Sequence, residues 1–274
     1  MRSTAGETTA ELVLALEVAE AAGDLLLDYA TRDVRKRHKS GRELVSEADF
    51  AAQRLIVDAI REAFPSDGVI AEESIRVVGR PESGRRWFVD PLDGTTNFLK
   101  GQSRWGTSIA FYDGEAGAMG VVTCPPRGET YYASIGGGAY LGEETLTCSD
   151  VGHLADTVVA SGFPYDFSKG SNLEEWTAIT PQVLTVRCLG AAALDLCDVA
   201  SGRSDAFWEQ GLGLWDTAAG IVIAAESGAL VTDMEGVVLA EPSCDVIVAN
   251  PLLHRKVLTC LRSGSAEIPV VARS

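Results

Sequence analysis

The sequence predicts a layered protein of mixed structure, in the α+β or α/β class. Three observations lead to this prediction: two amphipathic helices open the chain, short strands dominate up to about residue 145, and strands alternate with helices from about residue 150. Such an alternation is typical of a sheet covered by helices. The chain has 274 residues, of which 46% are hydrophobic, so it can bury a large core and is not a disordered protein.

The first part of the chain contains two helical segments. Apolar residues at helical spacing over residues 9–30, with acidic residues on the opposite face, predict the first helix. A basic turn follows over residues 32–42. A second helix is predicted over residues 46–64, again from apolar residues that share one side.

The remaining elements follow from short β-prone runs and helical patterns bounded by turn residues. In the first part we predict strands at 69–71, 87–89, 107–112, 118–123, 130–134 and 139–141. Beyond residue 150 we predict strands at 157–160, 205–208, 230–232 and 246–249, and helices at 173–184, 191–200, 215–227 and 251–262.

We divide the chain into an N-terminal α+β half, residues 1–149, and a C-terminal α/β half, residues 150–274. No repeat or low-complexity linker separates the two halves, so we expect one compact unit with a shared interface. Pockets commonly form at interfaces of this kind.

Charge and composition limit the partners. A net charge of −16 argues against nucleic acid or an anionic membrane surface as the main partner. No run approaches the roughly 20 apolar residues that a membrane span needs, and the first residues do not resemble a signal peptide. The six cysteines show no Cys-x-x-Cys spacing. We therefore expect a cytoplasmic protein with reduced thiols.

The most informative stretch is residues 87–98, with the sequence WFVDPLDGTTNF. An apolar strand runs into two carboxylates, a glycine and two hydroxyls. Pro91 has no N–H and is expected to end the strand, so Asp90 and Asp93 leave the strand end together. With a backbone carbonyl such as that of Leu92, carboxylates at this spacing suit a hard cation such as Mg²⁺.

The residues after this carboxylate pair suit an anion. Gly94 permits a turn that a side chain would hinder, and a helix beginning near Thr95 would direct free amides at a phosphate. The alternative interpretation is a plain strand, turn and Asp cap. A single Asp-x-x-Asp favours that alternative, whereas the whole twelve-residue string is much more specific.

This string resembles the first signature of the inositol monophosphatase family, whose members are Mg²⁺-dependent, lithium-sensitive phosphomonoesterases. Residues 214–220, LWDTAAG, resemble the second signature of that family. The resemblance covers roughly residues 10–262. It implies a layered α-β-α-β-α sandwich of the sugar phosphatase type, which inositol monophosphatases share with fructose bisphosphatases.

Two shorter motifs occur in the order that this resemblance requires. Residues 70–74, IAEES, resemble a metal-binding Gly-Glu-Glu-Ser, with Ala71 in place of the glycine. Residues 44–49, LVSEAD, resemble a segment that places an aspartate beside the metals. Taken alone, the second motif is an ordinary helix capping box.

The resemblance implies a centre of two to three Mg²⁺ ions. Its ligands would be the side chains of Glu72, Asp90, Asp93 and Asp216 and the carbonyl of Leu92. Asp216 would come from the C-terminal half and close the site. Such cations would also reverse the field of an acidic chain that otherwise repels a phosphate ester.

The resemblance also implies catalytic roles. Water activated by the metals and oriented by Glu72 and Thr95 would attack phosphorus in line, without a phosphoenzyme. Asp49 would lie beside the metals as an outer ligand or water holder. Gly94, Thr95 and Thr96 would bind the phosphate oxygens through amides and hydroxyls.

The leaving-group side is assigned from two segments, residues 187–195 and 207–209, which resemble the polyol-contacting segments of the family. Within them we expect Gly190, Ala192 and Glu209 to contact substrate, because a carboxylate accepts two hydrogen bonds from a vicinal diol. Close helix packing is an equally good explanation of the alanine run in the first segment.

For two groups of side chains the sequence leaves two possible roles. Lys39 either approaches the metals or is solvated. Trp105, Trp176 and Tyr165 either rim the pocket or belong to the core, which is the commoner role of such aromatics.

The resemblance implies a phosphomonoesterase for myo-inositol monophosphate or a related sugar or polyol phosphate, and, because members of the family are commonly dimers, we expect a homodimer. Alternatives on the same scaffold are histidinol-phosphate, fructose-1,6-bisphosphate and nucleotide 3′-phosphate phosphatases, or a non-catalytic binding protein. A haloacid-dehalogenase phosphatase would need a nucleophilic aspartate two residues before Asp93. That position is Pro91, which cannot attack phosphorus.

Overall fold

The computed structural model describes residues 9–39, 43–78, 84–165, 167 and 171–263. Within these residues the helices are α1 (Ala10–Ala30), α2 (Glu47–Ala63), α3 (Thr95–Leu99), α4 (Leu173–Ile179), α5 (Ala192–Ala200), α6 (Leu214–Glu226) and α7 (His254–Arg262). The first eight strands are β1 (Lys36–His38), β2 (Leu44–Ser46), β3 (Gly68–Ala71), β4 (Ser74–Val78), β5 (Arg85–Asp93), β6 (Gly106–Asp113), β7 (Ala116–Cys124) and β8 (Glu129–Ser134). The others are β9 (Gly138–Leu141), β10 (Glu144–Thr145), β11 (Val158–Ser161), β12 (Thr185–Arg187), β13 (Ala206–Glu209), β14 (Leu230–Thr232) and β15 (Val246–Ala249).

The strands form two main sheets. The larger sheet has eight strands in the order β10-β9-β8-β7-β6-β5-β3-β4, and only its β3–β5 pair is parallel. The smaller sheet has five strands in the order β12-β11-β13-β15-β14, with the first three parallel. Strands β1 and β2 form a separate hairpin.

Alternation along β5 decides what lies on each side of the larger sheet. Trp87 and Val89 pack against α1 and α2, whereas Phe88 faces the opposite side with the helices α5 and α6. This follows from the two-residue period of a strand, which sends successive side chains to opposite faces. Both faces of β5 are therefore buried in the core.

The helices and sheets stack in five layers. Helices α1 and α2 cover the outer face of the larger sheet, α5 and α6 lie between the two sheets, and α4 and α7 cover the outer face of the smaller sheet. The predicted α-β-α-β-α sandwich is confirmed.

Small residues let the central helices approach their neighbours closely. A Cβ added to Gly120 of β7 would lie 2.8 Å from the Cα of Ala219 in α6. A Cβ at Gly220 would lie 2.6 Å from the Cβ of Leu196 in α5. Close packing of this kind cannot accept added atoms without strain. The Ala-Ala-Gly run of the second signature thus has a packing role in the central layer.

Several predicted boundaries are wrong. The predicted helix over 173–184 ends at Ile179, because Pro181 has no N–H with which to continue the helical hydrogen bonds, and β12 follows. The helix expected from residue 251 begins at His254. The basic turn at 32–42 contains strand β1. Among the described residues, no helix is both long and apolar enough to cross a membrane.

Candidate active site

A cavity of about 700 Å³ opens where the end of β5 meets the N-terminal ends of α5 and α6. It is lined by most of the predicted site residues, namely Glu72, Asp90, Leu92, Asp93, Gly94, Thr95, Gly190, Ala192, Glu209 and Asp216. Of the remaining two, Asp49 is hydrogen-bonded to Thr95, and Thr96 to Tyr165, which also lines the cavity. The structure thus brings together residues that lie more than 140 positions apart in the sequence.

A β-bulge in β5 sets the directions of the Asp90 and Asp93 side chains. Asp90 pairs with Ser108 and Asp93 with Gly106, so β5 carries one residue more than β6 between these pairs. Pro91 was expected to end the strand, but β5 continues to Asp93 and the proline lies within the bulge. A bulge accepts a residue without an N–H and redirects the neighbouring side chains.

Asp93 is held by the start of α5. Its Oδ2 accepts a hydrogen bond of 3.0 Å from the backbone N–H of Ala193. Burial raises the pKa of Asp93 to about 6, although the amides at this helix end and the charge of Arg104 oppose that effect. One carboxylate of the candidate site is therefore oriented by the helix that carries Ala192.

The other carboxylates form a crowded, buried group. Burial, together with the nearby charges of Glu72, Asp93 and Asp216, raises the pKa of Asp90 well above its usual value. Burial likewise raises the pKa of Asp216, whose Oδ2 accepts a 2.7 Å hydrogen bond from the N–H of Gly213. Like charges at close range cannot all ionise without a compensating cation.

Lys39 supplies one positive charge at the edge of this group. Its Nζ lies 3.1 Å from Oε1 of Glu72 and 3.1 Å from Oε1 of Glu73. Of the two roles left open for Lys39, the structure supports the one beside the carboxylates. A single lysine does not balance the four predicted carboxylate ligands.

The donor chemistry fits a hard divalent cation. Across the described part of the chain, no group of three or more His, Cys, Asp or Glu side chains stands in position to hold a metal ion. Mg²⁺, however, is commonly held by one or two carboxylates together with waters and substrate phosphate. Mutually repelling buried carboxylates beside the Leu92 carbonyl are donors of the type that Mg²⁺ prefers.

Thr95 and Asp49 form a hydrogen-bonded pair behind this group. The Oγ1 of Thr95 lies 2.9 Å from Oδ1 of Asp49 and 3.0 Å from the carbonyl of Leu92. Oδ2 of Asp49 accepts hydrogen bonds from both the N–H and the hydroxyl of Ser46. The predicted capping box is therefore present, and it leaves one oxygen of Asp49 to Thr95.

Gly94 occupies a position that only glycine fits. Its φ of 84° is in the left-handed region, and α3 begins at the next residue. A Cβ at this position would lie 2.9 Å from the carbonyl oxygen of Arg104 and 3.2 Å from the Cβ of Ala191. The backbone of the candidate phosphate site thus packs directly against the segment that leads into α5.

Aromatic side chains also line the cavity. Tyr165 lines it, and the Tyr165 hydroxyl lies 3.1 Å from that of Thr96. Phe163 also lines the cavity and stacks on Trp176, with ring centroids 5.2 Å apart. Of the three aromatics left open by sequence, Tyr165 rims the pocket, whereas Trp105 is buried in the core.

Glu209, the last residue of β13, lines the same cavity. It is buried, and burial together with the charges of Asp195, Asp216 and Asp93 raises its pKa well above the usual value. Among the described residues, no hydrogen bond holds its carboxylate. A buried carboxyl group without a partner is ready to accept hydrogen bonds from a ligand.

Sequence reasoning missed a buried ion-pair network behind α5. Arg104 contacts Asp195 and lies 2.9 Å from Oδ2 of Asp198. Burial raises the pKa of Asp195 to about 7 in spite of Arg104. The acidic pair at helical spacing was visible in the sequence, but nothing there indicated its partner 91 residues away.

Residues 9–266 match the sequence profile of the inositol monophosphatase family. The chain belongs to this family. The inositol-1-monophosphatase of Mesorhizobium japonicum is 38% identical over 82% of this chain and 85% of its own length. A fructose-1,6-bisphosphatase/inositol-1-monophosphatase from Thermotoga maritima is 34% identical over 94% of this chain and 98% of its own.

Solved structures agree with this inositol monophosphatase assignment. The crystal structure of the extragenic suppressor protein suhB from Bartonella henselae superposes with a TM-score of 0.88 and 34% identity, covering 94% of this chain and all of that one. The chain is a phosphomonoesterase of the hydrolase class. Members of its family are generally metal-dependent.

Proposed function

We propose that this inositol monophosphatase family member hydrolyses myo-inositol monophosphate, or a related sugar or polyol phosphate, with Mg²⁺ as its metal. One observation carries the proposal: the cavity has two chemically different walls. The phosphate wall, with the carboxylate group, Gly94 and Thr95, suits a metal-bound phosphate, and the leaving-group wall, with Glu209, suits the hydroxyls of a polyol. The resemblance of the whole chain to its relatives supports the same substrate class.

The cation ligands are proposed as follows. Glu72, Asp90 and the Leu92 carbonyl would hold one Mg²⁺, and Asp90, Asp93 and Asp216 would hold a second. A third ion would bind more loosely near Glu72, with Asp49 as an outer contact, since both oxygens of Asp49 already accept hydrogen bonds. Bound Mg²⁺ supplies positive charge for the phosphate oxygens and acidifies a water molecule.

Thr95 and Asp49 orient the attacking water and take its proton. The hydroxyl oxygen of Thr95 accepts a hydrogen bond from the water while it donates its own proton to Oδ1 of Asp49. Burial raises the pKa of Asp49, which makes this carboxylate a better proton acceptor. As the new P–O bond forms, the P–O bond to the ester oxygen breaks, and the leaving alkoxide takes a proton from a water molecule.

The phosphate oxygens are bound by the backbone of Gly94, by the amide of Thr95, and by the amide and hydroxyl of Thr96. The absence of a side chain at Gly94 keeps this backbone accessible and close to residue 104. Donors placed before the reaction need no reorganisation as charge develops. On the leaving-group side, Glu209 accepts hydrogen bonds from substrate hydroxyls, with the backbone of Gly190 and Ala192 beside it.

A fructose bisphosphatase activity is the second candidate. The printed name of the Thermotoga relative includes both activities, and a cavity of about 700 Å³ has space for a phosphorylated sugar as well as for inositol phosphate. We also propose, from the family resemblance, that the protein is a homodimer and that lithium inhibits it.

The test is phosphate release from myo-inositol 1-phosphate, fructose 1,6-bisphosphate, histidinol phosphate and adenosine 3′,5′-bisphosphate, each with Mg²⁺ and with EDTA. Fast release from the first ester that EDTA abolishes is the expected result. Preferential release from the second would favour the alternative. No release from any ester by the folded protein would contradict the proposal, and Mg²⁺ titration would then show whether the metal site exists.

A further inference from the structure

Asn172 has the most unusual backbone conformation of the described residues. Its φ of 53° is the only positive value at a non-glycine position among them, and its side chain is almost fully buried. A non-glycine residue in this region costs free energy and persists only where the surrounding structure holds it. Such strained positions cluster at functional sites, so the contacts of Asn172 are informative.

The Asn172 side chain joins the ends of two parallel strands. Its Nδ2 donates a 2.9 Å hydrogen bond to the carbonyl of Gly162, which follows β11. Its Oδ1 accepts a 3.2 Å hydrogen bond from the N–H of Gln210, which follows β13. Strands β11 and β13 are neighbours in the smaller sheet, so this one amide sets the spacing between their ends.

That spacing decides where the Glu209 carboxylate lies. A Cβ added to Gly162 would lie 2.7 Å from the carboxyl carbon of Glu209 and would overlap both of its oxygens. The carboxylate therefore rests directly on the backbone of Gly162. Because Gln210 is the next residue after Glu209, Asn172 holds both sides of this contact.

Further contacts fix the same region. The side-chain amide of Gln210 donates a 2.9 Å hydrogen bond to Glu175 in the first turn of α4. Trp176 of that helix stacks on Phe163 and also lies against Trp208, with ring centroids 5.9 Å apart. The hydrogen bonds of Asn172 are thus connected, through Gln210 and α4, to the aromatic side chains beside the cavity.

We propose that Asn172 is a positioning residue that holds the Glu209 carboxylate against Gly162 and so gives the enzyme its selectivity for leaving groups with hydroxyls beside the phosphate. The inference rests on the proposed function and names the residue that sets its leaving-group side. Asn172 does not contact the substrate. It acts through the backbone positions of its two hydrogen-bond partners.

The test compares Asn172→Gly with wild type on two Mg²⁺-supported substrates. Myo-inositol 1-phosphate has hydroxyls beside the phosphate, and p-nitrophenyl phosphate has none in its leaving group. Glycine accepts the backbone conformation but loses both side-chain hydrogen bonds. We expect KM for the inositol ester to rise about tenfold, the effect of one or two lost hydrogen bonds. kcat/KM for the aryl ester should stay within about twofold of wild type.

Asn250→Gly is the matched control. Asn250 is also a buried asparagine that uses both side-chain atoms, and it does not line the cavity. Its Nδ2 donates hydrogen bonds to Ser149 and Val151, and its Oδ1 accepts one from the N–H of Leu253, just before α7. Asn250→Gly should change the kinetic constants for the two esters equally. Gly162→Ala is an independent variant, because its Cβ displaces the Glu209 carboxylate directly, and it should produce the same selective rise in KM.

The possible outcomes distinguish a failure of the inference about Asn172 from a failure of the proposed function. If Asn172→Gly and Gly162→Ala lose activity equally on both esters, or if neither variant changes the selectivity between the esters, the inference alone is overturned. If Asn172→Gly does not fold, as judged by its circular dichroism spectrum, Gly162→Ala decides. A wild-type protein that releases no phosphate from either ester would overturn the proposed function and the inference with it.

Discussion

The two walls of the cavity differ in how they are built. The phosphate wall is built mainly on one continuous stretch, the end of β5 and the start of α3, to which Glu72 and Asp216 are added from elsewhere. Backbone amides hold the Asp90 and Asp93 carboxylates of that stretch. The leaving-group wall is assembled from distant segments that Asn172 ties together, and its aromatic side chains are partly exposed. We therefore propose that the phosphate wall carries the chemistry common to all substrates and that the leaving-group wall sets the selectivity.

The largest expected effect is on the phosphate wall. Asp93→Asn removes a proposed metal ligand and should lower kcat/KM by more than about a hundredfold on the inositol and aryl esters alike, since even outer contacts of metal ligands are worth about 10–100-fold. Asp24→Asn, on the exposed face of α1, is the matched control and should be neutral. Phosphate-release kinetics and Mg²⁺ titration by calorimetry measure the effect. An Asp93→Asn variant with most of its activity would refute the metal assignment.

Thr95→Ala should have the next largest effect. Loss of the hydroxyl that connects the attacking water to Asp49 should lower kcat by about a hundredfold on both esters, a typical value for general acid–base assistance. Thr95→Ser keeps the hydroxyl and should recover most of that loss. Steady-state kinetics of the two variants test this, and equal defects in both would exclude the proton path.

Gly94→Ala tests the close backbone approach. Its Cβ would lie 2.9 Å from the Arg104 carbonyl, so we expect kcat/KM to fall about 10- to 100-fold on both esters through displacement of the phosphate segment. Gly128→Ala provides the comparison, because Gly128 also has a positive φ, of 62°, but open space around it. It should cost about 1–2 kcal/mol of stability and no activity, as thermal unfolding and kinetics will show.

On the leaving-group wall, Glu209→Gln should be selective. The amide is a weaker acceptor than the carboxylate, so KM for myo-inositol 1-phosphate should rise about tenfold while the aryl ester is almost unaffected. Kinetics on the same two esters measure the difference. If both esters lose activity equally, Glu209 is part of the common machinery and the comparison between the walls is wrong.

The smallest effect concerns the stability of the phosphate wall. Burial raises the folded-state pKa of Asp93 to about 6 and those of Asp90 and Asp216 well above the usual value, whereas unfolded aspartates titrate near 4. The folded state therefore binds more protons, and the free energy of unfolding of the metal-free protein falls as pH rises from about 4 through these folded pKa values.

Mg²⁺ should offset this loss, because it binds the deprotonated carboxylates. The rise in Tm that Mg²⁺ produces should therefore be a few degrees larger at about pH 8 than at about pH 5. Differential scanning calorimetry with and without Mg²⁺ measures it. An Mg²⁺ effect that does not depend on pH would argue against ion binding by the buried carboxylates.

The difference between the two walls also explains which parts of the site could be predicted from the sequence. Asp90, Asp93, Gly94 and Thr95 lie within six residues, so local patterns were enough to group them and to suggest a metal and phosphate site. The layered fold also followed from local patterns, since each strand and helix shows its own periodicity. On the phosphate wall the predicted strand end was wrong, because a β-bulge at Pro91 shifts the register and keeps β5 paired with β6 as far as Asp93.

The leaving-group wall depends on contacts that no local pattern records. Asn172, Gly162 and Gln210 meet only because β11 and β13 are neighbours in a sheet. The Arg104–Asp195 pair likewise joins two elements that are distant in sequence. Pro181 was the one local signal that was available and not used, and it would have given the correct end of α4.

The most direct test of the two-wall account is a crystal structure of the Thr95→Ala variant with Mg²⁺ and myo-inositol 1-phosphate. We predict Mg²⁺ among Glu72, Asp90, Asp93 and Asp216, the phosphate on the backbone of residues 94–96, and ring hydroxyls within hydrogen-bond distance of Glu209. A phosphate bound outside this cavity, or a ring turned away from Glu209, would contradict the account.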